Sequence, residues 1–273
     1  MDGLYLYCIR EITENVSGFN TRGIDGKRDV FTIIHRELEA VISRVSLSKF
    51  TSEEIQRKAV EDLNWIKEKA VIHEDVIEEA MKRANGLVNV IPMRFGIIFK
   101  DKTGLKETLD RDYVKMRRLL NKFQGKQEWS VKIYLVDSKR FELMVKEKNK
   151  DIRVKEREMA SMPEGIAYFM EEELKETVCN EINKELDAML DTLLGKLGEE
   201  AAESVKTKIL DREMTGKTEK MVLNAAFLVH ADKIDSFIKA LEDIDGDLKT
   251  RGLSLEYSGP WPPFNFTNGG EKA

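Results

Sequence analysis

Catalysis and metal binding are built from histidine, cysteine and suitably paired carboxylates, and this chain uses the first two sparingly. Its three histidines, His35, His73 and His230, fall on three separate segments, and no cysteine stands at ligand spacing from any of them. A zinc site needs several Cys or His ligands at short spacings, and a nucleophile needs a base beside it. Neither pattern occurs. Cys8 and Cys179 lie far apart and read as two free thiols of a reducing compartment. Acids are plentiful, as in Glu171-Glu172-Glu173, but they sit on an amphipathic pattern where solvation accounts for them. The glycines at Gly18, Gly23 and Gly26 have no helix directly after them, so Gly-Ile-Asp-Gly reads as a turn and not as a phosphate cradle. No Walker loop, dinucleotide fingerprint or nucleophile elbow is present. The expectation is a protein without catalytic residues, cofactor or metal.

Two stretches are more specific. From Ser258 to Phe266 the chain reads Ser-Gly-Pro-Trp-Pro-Pro-Phe-Asn-Phe, which holds three of its five prolines. Pro260, Pro262 and Pro263 lack amide donors and fix φ, so the stretch is extended and stiff. Such a ribbon presents Trp261, Phe264 and Phe266 to a groove, either in its own chain, as a strap, or in a partner. The second stretch is Val88 to Phe99, strongly β-forming but interrupted by Pro92 and Gly96, which imply an edge or a bulge. Arg94 stands between Met93 and Phe95. Simple alternation puts it on the solvent face of a strand; the sharper alternative is a partly buried Arg that pairs with a carboxylate or captures a partner's carbonyls.

Apolar periodicity supplies the elements that carry these stretches. Strands are predicted at Leu4–Ile9, Val30–Ile34 and Leu38–Val45. Thr51 and Glu54 form a capping box that opens a long helix, and Gly86 ends it. His73 lies on or beside that helix's apolar stripe and reads as a buried, hydrogen-bonded histidine. A further helix runs from Thr103 to Phe123, and a strand from Glu128 to Val136. The charged stretch from Lys139 to Glu158 reads as a solvated helix or linker. Met170, Leu174, Val178, Ile182, Leu186 and Leu190 recur every fourth residue in a long helical region starting at Glu164, with a break expected at Gly195 and Gly198. That stripe packs on the chain's own sheet or on another subunit. Strands at Ile209-Leu210 and Met221–His230, a short helix capped by Asp232 and a strand at Leu253–Tyr257 complete the chain.

The fold class is therefore α+β in two domains. Residues 126–273 spell β-α-β-β-α-β, the ferredoxin-like order, with a long helix and the proline-rich strap at the end. Residues 1–125 form an N-terminal domain that is a modified relative of the same plan. A formal charge of −5 argues against nucleic acid as a partner. No apolar run approaches the roughly 18 residues of a membrane span. The chain opens on an apolar strand with no signal-peptide pattern, which points to the cytoplasm.

Four segments together resemble the gas vesicle protein F/L family: Leu4-Tyr5-Leu6-Tyr7, Ile91-Pro92-Met93-Arg94-Phe95-Gly96, Glu128-Trp129-Ser130-Val131-Lys132, and Asn224–Val229 leading to Gly259-Pro260-Trp261-Pro262-Pro263-Phe264-Asn265-Phe266. The resemblance spans residues 4 to 266. The family commonly has tyrosine where Phe264 stands, so one hydroxyl is missing here. The resemblance implies a non-enzymatic accessory or minor structural protein of gas vesicle assembly, which binds the small hydrophobic shell protein during nucleation or early assembly. It implies a cytoplasmic, vesicle-associated protein whose partners are that shell protein and other accessory proteins. Arg94, Phe95, Trp261, Pro262, Pro263 and Phe264 are the expected partner-binding residues or their immediate support. The competing expectation makes them core, with the strap locking the last strand in place. Two other roles remain open: a scaffold joining other accessory proteins, and a small-molecule-binding regulatory module.

Overall fold

The computed structural model describes residues 2–12, 18–83 and 86–267. The chain forms two compact units, residues 1–128 with 260–273 and residues 129–259. The expected division lies at 125/126. The segment after Gly259, expected in the second domain, groups with the first.

In the first unit, β1 (Asp2–Glu11), β2 (Val30–His35) and β3 (Leu38–Ser46) follow the expected apolar runs. Helices α1 (Ser52–Glu61) and α2 (Leu63–Met81) replace the single helix that periodicity predicts. Asp62 makes the division: its backbone leaves the helical region at φ −141°, and its side chain accepts the Trp65 N–H as the cap of α2. Gly86 does not end that helix. α2 stops at Met81, and Gly86 instead lies in a two-strand ribbon of β4 (Lys82–Arg83) and β5 (Gly86–Leu87). Then come β6 (Val90–Pro92), β7 (Ile98–Phe99), α3 (Lys102–Arg111) and α4 (Tyr113–Phe123). The sheet order is β2-β3-β1-β6, with β7 also paired to β1. In chain order this is second, third, first, fourth. It is the strand order of a βαββαβ unit, and the described residues between β1 and β2 contain no helix. Eight consecutive residues of β1 are buried because both its faces are covered, with α2 and α4 both packing on it.

The second unit continues with β8 (Lys126–Leu135), α5 (Ser138–Lys148), α6 (Lys150–Ala160) and α7 (Glu164–Glu200). The charged stretch 139–158 is thus two helices, separated by Asn149, whose side chain caps α6. α7 runs for 37 residues straight through Gly195 and Gly198. Each glycine costs a helix about 1 kcal/mol, but Leu190 and Leu197 are buried in the core beside them, and that burial wins. Leu186, Leu190 and Leu197 join the sheet's core, whereas Leu174 and Val178 pack with Ile152 of α6 in a separate cluster. After α7 come β9 (Glu203–Lys206), α8 (Arg212–Thr215), β10 (Lys220–His230), α9 (Ile234–Thr250) and β11 (Leu253–Trp261). The edge strand is β9, paired antiparallel to β10, and not Ile209-Leu210. A polar Glu-Ser-Val-Lys strand suits a sheet edge better than an apolar pair would. Asp232 lies in a 3-10 turn ahead of α9 and makes no side-chain cap. The sheet order β11-β8-β10-β9 is fourth, first, third, second, the arrangement that the βαββαβ pattern requires.

Gly252, at the turn between α9 and β11, has φ +80°, and a Cβ there would stand 2.5 Å from the Asp137 carbonyl oxygen. Its own carbonyl accepts the N–H groups of Val136 and Asp137, both at 2.9 Å. Gly252→Ala is expected to destabilise the chain by at least about 2 kcal/mol, from backbone strain and the clash together. Gly216→Ala, at φ +68° with open space around it, is expected to lose only about 1 kcal/mol. Urea unfolding of the two variants checks the difference.

Candidate partner-binding surface

β6 and β7 are two pieces of one interrupted strand. Cys8 to Arg10 pair with Pro92 to Val90, and Leu4 and Tyr5 pair with Phe99 and Ile98. Between them, residues 93–97 lie opposite only Leu6 and Tyr7, so three residues too many must bulge outward. Gly96, at φ +89°, makes the turn that the bulge requires. Arg94 therefore occupies neither of its expected places: it sits exposed on the bulge, not on a strand face or half-buried against a carboxylate. Phe95 beside it is half-buried.

Four hydrogen bonds hold the bulge to β1 and α2. Met93 N–H donates to the Tyr7 carbonyl at 2.8 Å, and Leu6 N–H to the Ile97 carbonyl at 2.9 Å. Gly96 N–H donates to the Tyr5 hydroxyl at 3.0 Å. His73 Nε2 lies 3.0 Å from the Met93 carbonyl oxygen, and its Nδ1 lies 3.0 Å from the Tyr5 hydroxyl. A carbonyl only accepts, so Nε2 carries the proton, Nδ1 is a bare acceptor and Tyr5 donates to it. His73 is thus the buried, hydrogen-bonded histidine that its place on the stripe predicted. Tyr5, His73 and Phe95 pack edge-on, with Phe95 centred 6.1 Å from Tyr5 and 5.8 Å from His73. Tyr7 works similarly, sharing a hydrogen bond of 2.8 Å with Ser43 Oγ and accepting from Ile24 N–H of the turn before β2. Burial raises the pKa of both hydroxyls, that of Tyr7 to about 12.

The strap belongs to the same unit. Phe264 packs against the core cluster that contains Tyr5 and Tyr7, as does Phe95. Pro262, Pro263 and Phe266 are buried, while Trp261 and Phe264 are half-buried. Glu128 secures the end of the strap: its Oε1 accepts the Asn265 side-chain amide at 2.7 Å, and its Oε2 accepts the Asn265 backbone N–H at 3.2 Å. Lys122 of α4 donates to the Phe266 carbonyl and lies over its ring. Sequence reasoning missed Glu128, although a carboxylate at the buried end of an alternating strand was a visible signal. The structure therefore divides the six expected residues. Arg94 is exposed, Phe95, Trp261 and Phe264 are partly exposed, and Pro262 and Pro263 are buried. Cys8 is buried and Cys179 exposed, both as free thiols. Among the described residues no helix is long and apolar enough to cross a membrane.

Two titrations in this region oppose each other. Burial holds His73 down to about 4, with the Met93 carbonyl pulling the other way. Its stabilising contribution is full above the unfolded value near 6.5 and is lost as pH falls toward 4. Burial raises Glu128 to about 7 against the pull of Asn265. Its contribution is full below the unfolded value and is lost as pH rises through 7. Each is worth on the order of 3 kcal/mol in full, so they offset each other at mildly acid pH. Glu128→Gln is expected to unmask the histidine: stability falls by on the order of 2 kcal/mol between pH 7 and 5. Glu128→Gln combined with His73→Phe is expected to lose that slope in urea titrations.

A family model described as gas vesicle synthesis protein GvpL/GvpF matches residues 3–268. The chain is 23% identical to gas vesicle protein F1 of Halobacterium salinarum over 269 residues, which cover 98% of this chain and 93% of that protein. It is 24% identical to gas vesicle protein L of a Streptomyces species over 262 residues, covering 96% and 91% of the two. Its fold is similar to the crystal structure of the gas vesicle protein GvpF from Anabaena sp. PCC7120, with a TM-score of 0.76 at 22% identity, covering 98% of this chain and 99% of that one.

Proposed function

The chain belongs to the GvpL/GvpF family of gas vesicle synthesis proteins, and from that premise we propose that it acts in gas vesicle assembly by binding the small hydrophobic shell protein. The binding surface in this reading comprises Arg94, Phe95, Trp261 and Phe264, with Pro262 and Pro263 as its support. The observation that carries the reading is convergence. The two most specific stretches of the sequence are about 165 residues apart, yet Phe95 and Phe264 pack against one core cluster and both remain partly exposed.

The chemistry suits the role. A shell subunit with an apolar face aggregates before assembly unless that face is covered. Partly exposed aromatic rings on a rigid base give apolar contact at little entropic cost. An exposed Arg beside them can take backbone carbonyls or a carboxylate of the bound segment. The protein works, in this account, in the cytoplasm and in association with the vesicle, and as an assembly factor, not an enzyme.

Co-expression of the tagged chain with the shell protein, followed by co-purification, tests the reading. Arg94→Glu, and separately Trp261→Ala with Phe264→Ala, are expected to lose shell-protein capture by tenfold or more, since hot-spot aromatics and Arg carry most of an interface's energy. Arg94→Glu is expected to keep the wild-type melting temperature because its side chain is exposed. Capture that survives both changes contradicts the proposal. Capture of only other accessory proteins by the folded chain replaces it with a scaffold.

A further inference from the structure

The chain as a whole is acidic, with 50 Asp and Glu against 45 Lys and Arg. A cavity of about 590 Å³ in the first unit reverses that balance. Five cations line it, Lys27, Arg28, Lys49, Lys58 and Lys69, against two carboxylates, Asp25 and Glu54. Both carboxylates are already engaged. Asp25 accepts the backbone N–H groups of Lys27 and Arg28, each at 2.9 Å, and Glu54 pairs with Arg57 at 2.7 Å. Lys27, Lys49 and Lys58 have no carboxylate partner among the described residues, and Arg28 holds one guanidinium nitrogen, Nη1, enclosed with no acceptor. An enclosed donor without an acceptor is unfavourable, and a half-enclosed cavity screens charge less well than open surface.

One wall is apolar. Phe50 and Trp65 pack with ring centres 5.9 Å apart, and Lys58 lies 5.5 Å from the Trp65 ring centre. The cations come from separate elements: the turn before β2, the turn after β3, the end of α1 and the middle of α2. Four of the five are lysines, compact charges on long stems. Lysine takes phosphate as a point charge, but a compact phosphate site is shaped by converging backbone N–H groups or forked arginines, and the cavity offers a single arginine already tied to Asp2 at 3.0 Å. Dispersed lysines around an aromatic wall match several carboxylates spaced along a peptide, with one apolar side chain among them.

We propose that this cavity is a docking site for an acidic segment of a partner protein, whose carboxylates reach Lys27, Lys49 and Lys58 and whose apolar side chain lies on Phe50 and Trp65. The site shares no residue with the Arg94 and strap surface and stands independently of it. Because the rest of the chain repels an acidic partner, the same charge pattern also orients the approach.

The test uses the full chain and a capped synthetic peptide, acetyl-Glu-Asp-Glu-Leu-Glu-Asp-amide, measured by calorimetry and by tryptophan fluorescence. Saturable one-to-one binding is expected, weakening by about tenfold or more between low and high salt. Lys49→Glu with Lys58→Glu is expected to weaken it by about tenfold or more, while the control pair Lys233→Glu with Lys239→Glu leaves it unchanged. Trp65→Phe is expected to remove the fluorescence response. ATP and inorganic phosphate form the comparison arms. Equal or tighter binding of either overturns the peptide assignment in favour of a compact anion. No saturable peptide binding by the folded chain, or binding indifferent to the lysine changes, overturns the proposal outright.

Discussion

A hydroxyl buried in an apolar core must find both a donor and an acceptor, and two such hydroxyls organise the first unit. Tyr5 and Tyr7 sit on the central strand, whose two faces are both covered, so their hydroxyls have no route to water. Tyr5 satisfies itself with the Gly96 N–H and His73, and so fixes the bulge that carries Arg94 and Phe95. Tyr7 satisfies itself with Ile24 N–H and Ser43, and so fixes the turn segment that leads into β2. The requirement for hydrogen-bond partners inside the core thereby sets the position of two surface segments.

The strap obeys the same constraint from the other end of the chain. Its prolines remove donors that would otherwise need partners, which lets Pro262 and Pro263 be buried without a ladder. The remaining polar groups at its end are met by Glu128 and Lys122. Glu128 is itself an acid in a poorly hydrated place, so it is held near neutrality in pKa, and the same burial keeps His73 uncharged. Burial thus sets the proton occupancy of both groups, each alongside its own hydrogen-bond partner.

Much of this was legible in the sequence. Periodicity located β1, β2, β3, β8 and β10 because their apolar runs are long and flanked by turn residues, and Pro92 with Gly96 announced a bulge. Asp62 was legible in principle, since an Asp before an apolar helical run is a cap signal, but the continuous stripe across it masked the break. Gly195 and Gly198 misled because their propensity penalty is smaller than the burial of the leucines around them. The polar edge strand β9 has no periodic signature and exists only because β10 offers it an edge. The attachment of the strap to the first unit depends on a contact between residues 137 apart, Glu128 and Asn265, which no local pattern encodes. The exposed position of Arg94 on its bulge and the attachment of the strap were therefore not legible as geometry.

The measurement closest to the centre of this account is amide hydrogen exchange at Gly96 and its neighbours in Tyr5→Phe compared with the unchanged chain. Removing one oxygen leaves the ring's packing in place and takes away only the acceptor of the Gly96 N–H and the donor to His73. The account expects exchange at Gly96 to accelerate by about tenfold or more, with strands β2 and β3 still protected. Unchanged protection at Gly96 in that variant would contradict the claim that the buried hydroxyl holds the bulge.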